Sequence, residues 1–284
     1  MLYGLTASVT LATSILGAAI SPDASGPGRA VTAWPADADS SEVQQVTIIA
    51  TDFAFEAPDS IRAGLVTLHL INRGKALHHA WLVRLEGGKT LQDFLQSRSF
   101  EPWMVHVGGP AAAPGAEATA TLLLAPGSYG IVCLIPDINA RTHAVLGMAR
   151  ALKVVGPAPS AGTALPPADD SVRLTNYAFL FSRPLMAGHH RLLFRNDSDQ
   201  PHEAVFVRLA PGKTPMDFVE WSEKPMGSPP GTMVGGITGL SPGREAEAEL
   251  DLDAGRYALI CFVPDATDGK PHFMHGMITE LTVH

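Results

Sequence analysis

Basic charge is scarce in this chain: 20 Lys and Arg stand against 28 Asp and Glu over 284 residues, for a net charge of -8. With no basic stripe to release counterions from a phosphate backbone, a nucleic-acid partner is disfavoured. Charge of either sign is thin, at 17% of residues against 46% hydrophobic, so material for packed cores is ample. Cysteine is limited to Cys133 and Cys261, which admits one disulfide at most. No His-x-His pair occurs anywhere, and serine-nucleophile, phosphate-loop and zinc-protease signatures are absent. Low-complexity tracts are also missing. The 27 Gly and 23 Pro are spread as turn punctuation, which suits many short strands.

Charged side chains are missing altogether from Leu2 to Ile20, a mildly apolar stretch ending in Leu16-Gly17-Ala18-Ala19. It reads as the hydrophobic part of a signal peptide or an uncleaved membrane anchor. Export is therefore expected, to a periplasmic, extracellular or membrane-anchored location facing outside. No Lys or Arg precedes the stretch, Arg29 being the first, which leaves the true start open. No Cys follows it, which excludes a lipid-anchored cysteine. Residues 21–44 are rich in Ser, Pro, Ala, Gly and Asp and read as a disordered tether. Residues 156–169 have the same character and read as a linker between two domains, 45–155 and 170–284.

That division follows from laying the chain on itself. A shift of 124 residues brings Thr51-Asp52-Phe53-Ala54-Phe55 onto Thr175-Asn176-Tyr177-Ala178-Phe179, Asn72 onto Asn196, Val83-Arg84-Leu85 onto Val207-Arg208-Leu209, and Asp93-Phe94 onto Asp217-Phe218. After small insertions Gly127 and Tyr129 meet Gly255 and Tyr257, Cys133 meets Cys261, His143 meets His272, and Gly147-Met148 meets Gly276-Met277. So many coincidences in order establish an internal duplication. Within each half the signal is strand: short runs rich in Val, Ile, Leu and Thr, bounded by Gly, Pro, Asn or Asp. Thr90–Leu95 and its mate Thr214–Trp221 read as a short inserted helix. About seven strands in about 110 residues predict an all-β chain of two tandem Greek-key β-sandwiches.

The duplicated chemistry is one soft set per half: His78, Cys133, His143 and Met148, then His202, Cys261, His272 and Met277. A thiolate, two imidazoles and a thioether suit copper better than zinc, whose sites are closed by Cys, His or carboxylate and seldom by Met. Each half resembles a cupredoxin, the blue-copper fold. The resemblance is carried by Gly127-Ser128-Tyr129-Gly130-Ile131-Val132-Cys133 and Gly255-Arg256-Tyr257-Ala258-Leu259-Ile260-Cys261. It is carried also by His78 and His202 following Asn72 and Asn196, and by the endings His143-Ala144-Val145-Leu146-Gly147-Met148 and His272-Phe273-Met274-His275-Gly276-Met277.

The resemblance implies a mononuclear type 1-like copper per half, in both halves or in one. It implies single-electron transfer or copper holding, and a redox partner protein. The Cys-x9-His and Cys-x10-His loops are long for the small members of the family and closer to the copper nitrite reductase type. The position after the upstream His, often Asn in the family, is His79 in one half and Glu203 in the other.

The register also sorts the other candidates. His79 faces Glu203 and His275 faces Leu146, so neither is expected to serve what the halves share. His189 and His190 fall opposite Leu65 and Val66 and read as surface residues, while Met104, Met233 and Met274 read as packing side chains. In the family, turnover needs a second, open copper drawn from His-x-His pairs or a His beside the Cys. Cys133 and Cys261 follow Val132 and Ile260, so the chain is expected not to be an enzyme, barring an oligomer that recruits His79, His106 or His275. Two other readings stay open: a metal-free cupredoxin-fold binding or structural module of the cell envelope, with the cysteines as buried small hydrophobes, and a disulfide, which would require the two loop ends to face each other.

Overall fold

The computed structural model describes residues 43–284. The signal or anchor segment 1–20, and the tether 21–44 up to residue 42, lie outside the described residues. The first half runs β1 (Gln44–Thr51), β2 (Ala54–Glu56), β3 (Ser60–Arg62), β4 (Gly64–Asn72), β5 (His78–His79), β6 (Trp81–Leu85), α1 (Leu91–Gln96), β7 (Met104–Gly108), β8 (Ala111–Ala112), β9 (Glu117–Leu124), β10 (Gly127–Val132) and β11 (Ala149–Val155). The second runs β12 (Asp170–Thr175), β13 (Ala178–Phe181), β14 (Gly188–Asn196), β15 (His202–Leu209), α2 (Pro215–Glu223), β16 (Gly231–Leu240), β17 (Glu245–Leu252), β18 (Gly255–Ile260) and β19 (Ile278–Val283). A 3-10 turn precedes the last strand of each half, at His143–Leu146 and His272–His275.

Strand follows from alternation. In β1, Val46, Ile48 and Ala50 are buried while Gln45 and Thr47 face solvent, the period-2 pattern of a sheet with one covered face. The helices follow from their caps. Thr90 and Thr214 each accept the backbone N–H three residues on, and Asp93 and Asp217 accept the threonine N–H in return, satisfying two orphan donors reciprocally. Each half is a sandwich that shares one parallel pair, β1 with β4 and β12 with β14; the first half adds a second, β3 with β11, and the other main neighbours are antiparallel. Tyr129 and Tyr257, fully buried, each donate their hydroxyl to the carbonyl four residues back, Ala125 and Asp253.

The halves are not separate beads. Strand β9 pairs with β17 through Ala120↔Ala248, and β7 pairs with β16 through Leu240↔Val107. Both sheets therefore run across the repeat, one of eight strands and one of nine. The main core cluster extends with them, from Leu68, Leu122 and Ile131 to Phe194, Phe206 and Leu250, and a second cluster gathers Val207, Phe218 and Ile260. Two joining strands, β7 and β16, are absent from the strand pattern read in the sequence. The reason is composition: β16 reads GTMVGGITGL, and glycine supplies no side chain to create an alternation.

Two of the glycines at this joint are compulsory. Gly109 and Gly236 have φ of 150° and 120°, and a Cβ would stand 1.9 Å from the Ala80 carbonyl oxygen and 2.0 Å from that of Ala204. Both obstacles are backbone, so neither can rotate away. Gly109→Ala and Gly236→Ala are each expected to cost about 3 kcal/mol or more, combining a forced clash with left-handed strain. Urea unfolding of the full chain measures this; an unchanged midpoint would refute it.

Two sequence expectations are corrected. His190 is not a surface residue: it is 9% exposed and its Nε2 donates to the Met186 carbonyl at 2.6 Å, whereas His189 stays exposed beside Asp251. Met104 and Met233 pack in the core, but Met274 is 60% exposed, because the 3-10 turn that buries His272 and Phe273 turns the next side chain outward.

Candidate metal centres

The upstream histidines are set by a buried asparagine. Asn72 donates its amide to the Ala76 and Ala112 carbonyls and accepts from Gly74 N–H; Asn196 donates to the Gln200 and Leu240 carbonyls and accepts from Ser198 N–H. Each thus ties the turn before His78 or His202 to the neighbouring strand. The cysteines stand just beyond β10 and β18. Their amides donate to the Met148 and Met277 carbonyls, and their carbonyls accept from Ala144 and Phe273. The 3-10 turns then carry His143 and His272 back over the cysteines, and Gly147 and Gly276, in left-handed geometry, close the turns.

These elements bring three donor atoms together twice. In the first half His78 Nδ1 and His143 Nδ1 lie 3.2 Å apart, and Cys133 Sγ lies 3.9 and 3.4 Å from them. In the second, His202 Nδ1 and His272 Nδ1 lie 2.8 Å apart, and Cys261 Sγ lies 3.9 and 3.3 Å from them. A cation bonded at about 2.0 Å to nitrogen and about 2.3 Å to sulfur in a trigonal plane sets its donors about 3.5–3.8 Å apart. The donor types fit such an ion in both halves; the spacing in the first comes near it, whereas the 2.8 Å between His202 and His272 would have to widen. Met148 and Met277 are fully buried and joined to the sets through their backbones, Met148 N–H donating to the His143 carbonyl and Met277 N–H to that of His272.

The upstream imidazoles, His78 and His202, are oriented as metal ligands require. His78 Nε2 faces Asp52 Oδ1 at 2.7 Å. An ionised carboxylate only accepts, so Nε2 carries the proton and the Nδ1 lone pair points into the cluster. Burial pushes the Asp52 carboxyl up, but the Lys75 N–H, the His78 ring and the Ala76 N–H outweigh it and hold the group below its ordinary value. Gly74 leaves the room for this contact, since a Cβ there would lie 2.3 Å from Asp52 Oδ1 and 2.6 Å from His78 Nε2. In the second half Asn176 Oδ1 takes the carboxylate's place, 3.3 Å from His202 Nε2. Burial lowers all four rings, His143 and His272 to about 4 and His202 to about 3, so the rings are neutral donors at neutral pH. Burial also pushes the Cys133 thiol up to about 12 and the Cys261 thiol well above its ordinary value. A thiolate here needs a cation beside it.

The cysteine sulfurs accept the backbone N–H of His79 at 3.5 Å and of Glu203 at 3.4 Å. The side chains of these residues correct a further expectation, that His79 serves nothing the halves share. His79 Nε2 accepts the Leu134 N–H at 2.7 Å, and Glu203 Oε1 accepts the Phe262 N–H at 2.9 Å. Imidazole and carboxyl do one job in both halves, fixing the residue that follows the cysteine. Burial drives His79 down to about 3 and Glu203 up to about 7, which favours the uncharged form of each. His275 belongs instead to a partly exposed cluster with Asp265 and Asp268, where it pairs with Asp268 at 3.1 Å and stacks on Tyr177.

No family model matches this chain, and no curated protein matches it. Solved structures do. Auracyanin B is 22% identical, matching 40% of this chain and 86% of its own with a TM-score of 0.30. The copper-containing nitrite reductase of Thermus scotoductus is 13% identical over 86% of this chain, which spans 62% of that enzyme, with a TM-score of 0.25. The blue copper oxidase of Nitrosomonas europaea is 15% identical over 84% of this chain and 85% of its own, with a TM-score of 0.25. The expectation that the chain is not an enzyme is thereby corrected: proteins similar to it over most of its length include a reductase and an oxidase. The paired sandwiches, each with its His-Cys-His cluster at one end, are two cupredoxin-like halves in tandem.

Proposed function

We propose that this tandem cupredoxin-like protein binds copper, one type 1-like ion per half, through His78, Cys133, His143 and Met148 and through His202, Cys261, His272 and Met277. The proposed role is to pass single electrons to and from a redox partner protein, or to hold the metal. The observation that supports the reading most is the convergence, twice, of two imidazole Nδ1 atoms and one thiol sulfur within 4 Å. A copper ion held by these residues would supply one-electron chemistry, its ligands kept in one arrangement for both oxidation states. The chain's residues supply the rigidity: Asn72 and Asn196 brace one histidine turn, the capped 3-10 turns brace the other, and His79 and Glu203 hold the cysteine segment. One-electron transfer is common to carriers and to oxidases and reductases, and it is the chemistry claimed here. Export, to the periplasm, the exterior or an outward-facing anchor, belongs to the same proposal and rests on the charge-free stretch Leu2–Ile20. Among the described residues no helix is long and apolar enough to cross a membrane.

Titration of purified protein with Cu(II) tests the reading. The expected result is an intense visible thiolate-to-copper band that saturates at two ions per chain, or at one if a single half fills. With the rings neutral and the Cys133 thiol pushed up to about 12, each ion entering the first half at pH 7.5 should release about one proton, from the thiol. A colourless protein with no stoichiometric copper would sink the proposal and leave the metal-free envelope module.

A further inference from the structure

The two ligand loops present different surfaces to a partner. Ile138 and Val145, on either side of His143 in the first loop, are 55% and 60% exposed. With His143 and Lys75 they border one wall of the open groove between the halves. Lone apolar side chains on a surface are ordinary, but two beside a ligand histidine form a patch. Around that patch Arg73, Lys75 and Arg141 are exposed, against Asp52 and Asp137. Arg141 pairs with Asp137 at 2.7 Å, while Arg73 and Lys75 face solvent. In the second half the sign reverses. Asp197 and Asp199 stand where Arg73 and Lys75 do, and the loop carries Asp265 and Asp268 against Lys270. Arg173 and Arg195 meet Asp197, but Asp199 and Asp265 line the opposite wall of the groove. There the ligand ring is also shielded: His272 Nε2 is buried, 3.7 Å from Asp265.

We propose that the redox partner docks on the first-half face around His143, and that the partner's contacting surface is acidic with an apolar centre. This rests on the function proposed above and adds the partner's chemistry and the half it meets. An apolar centre with a charged rim is the anatomy of a protein interface. Arg73 and Lys75 attract an anionic surface within a Debye length, about 10 Å. Asp199 and Asp265 across the groove repel the same surface, which keeps it to the first wall. With a net charge of -8, most of the chain repels an acidic protein, so attraction confined to this face sets the partner's orientation as well as its place.

The test adds a dye-labelled acidic peptide of Glu and Leu to the metal-free full-length protein at low ionic strength. Anisotropy reads the affinity, and backbone amide NMR shifts read the place. The expected result is saturable binding whose shifts gather at Lys75, Ile138 and Val145. The double variant Arg73→Glu/Lys75→Glu, at exposed positions, should weaken it by about tenfold or more. Val145→Ser should weaken it by about threefold in low and high salt alike, because an apolar contact is not screened. Asp199→Lys should tighten it. Absence of saturation, shifts placed on the second half, or an affinity unmoved by the double variant would each overturn the proposal. So would salt-sensitive self-association in place of peptide binding, which would make the occupant the acidic end of a second copy. Copper uptake is read separately by the visible band, so a protein that takes the metal and ignores the peptide sinks this inference alone.

Discussion

Replacing both Cys133 and Cys261 by Ser should abolish the visible band given by Cu(II), and each single replacement should remove the share of one half. Serine keeps the size of the side chain but not its acidity or its softness. A buried hydroxyl is not ionised by copper as a thiol is, so the thiolate-to-metal transition disappears with the sulfur. Two imidazoles and a buried thioether remain in each half, and Cu(II) affinity should fall by more than about a hundredfold, given that loss of an outer partner alone costs 10–100-fold. The fold should survive, because Ser can still accept the N–H that His79 and Glu203 aim at the cysteine. The cost of the buried hydroxyl is about 1–2 kcal/mol, seen as a modest drop in thermal midpoint. The two single variants also answer a question the wild type does not, namely which half fills first. A band that persists in the double variant would show that the thiols are not ligands.

The sequence carried the plan of both halves because the repeat doubles every signal. Short apolar runs bounded by turn residues located β1, β4, β9 and β10, and the Gly-x-Tyr-x-x-x-Cys runs placed each cysteine where a strand ends. It carried less of the joint. Strand β16 is rich in glycine and β7 is only five residues long, and their pairing depends on a partner 135 residues away, His106 N–H to Ser241 Oγ. Identity between halves was also too strict a test of shared purpose. His79 and Glu203 differ in type and charge, yet each has an acceptor atom that reaches the amide after the cysteine. Asp52 and Asn176 sat in register in the strongest stretch of the repeat, Thr-Asp/Asn-aromatic-Ala-Phe, and what they do emerges only when the chain folds a ring nitrogen against them.

That last pair sets the two centres apart, and exchanging it should move their properties toward one another. In the first half the ring N–H of His78 meets a carboxylate at 2.7 Å; in the second, that of His202 meets a neutral amide oxygen at 3.3 Å. A hydrogen bond to an ion is shorter and about twice as strong as one to a neutral acceptor, and it raises the basicity of the far nitrogen. A more basic Nδ1 favours Cu(II) over Cu(I), so the first half should have the lower reduction potential. Asp52→Asn should raise that potential and weaken Cu(II) binding in the first half by about 10–100-fold, while Asn176→Asp should lower the potential of the second. Glu203 acts in the opposite sense when ionised, because its charge stands beside Cys261. Its carboxyl is pushed up to about 7, so below that pH it is mostly neutral and its effect is removed. The comparison therefore belongs at pH 6, where Asp52, held below its ordinary value, is still ionised. Redox titration of the visible band, with each Cys→Ser variant isolating the other half, reads the two potentials separately. Potentials that are equal at pH 6, or that fail to move in Asp52→Asn, would mean that the carboxylate positions the ring without tuning it.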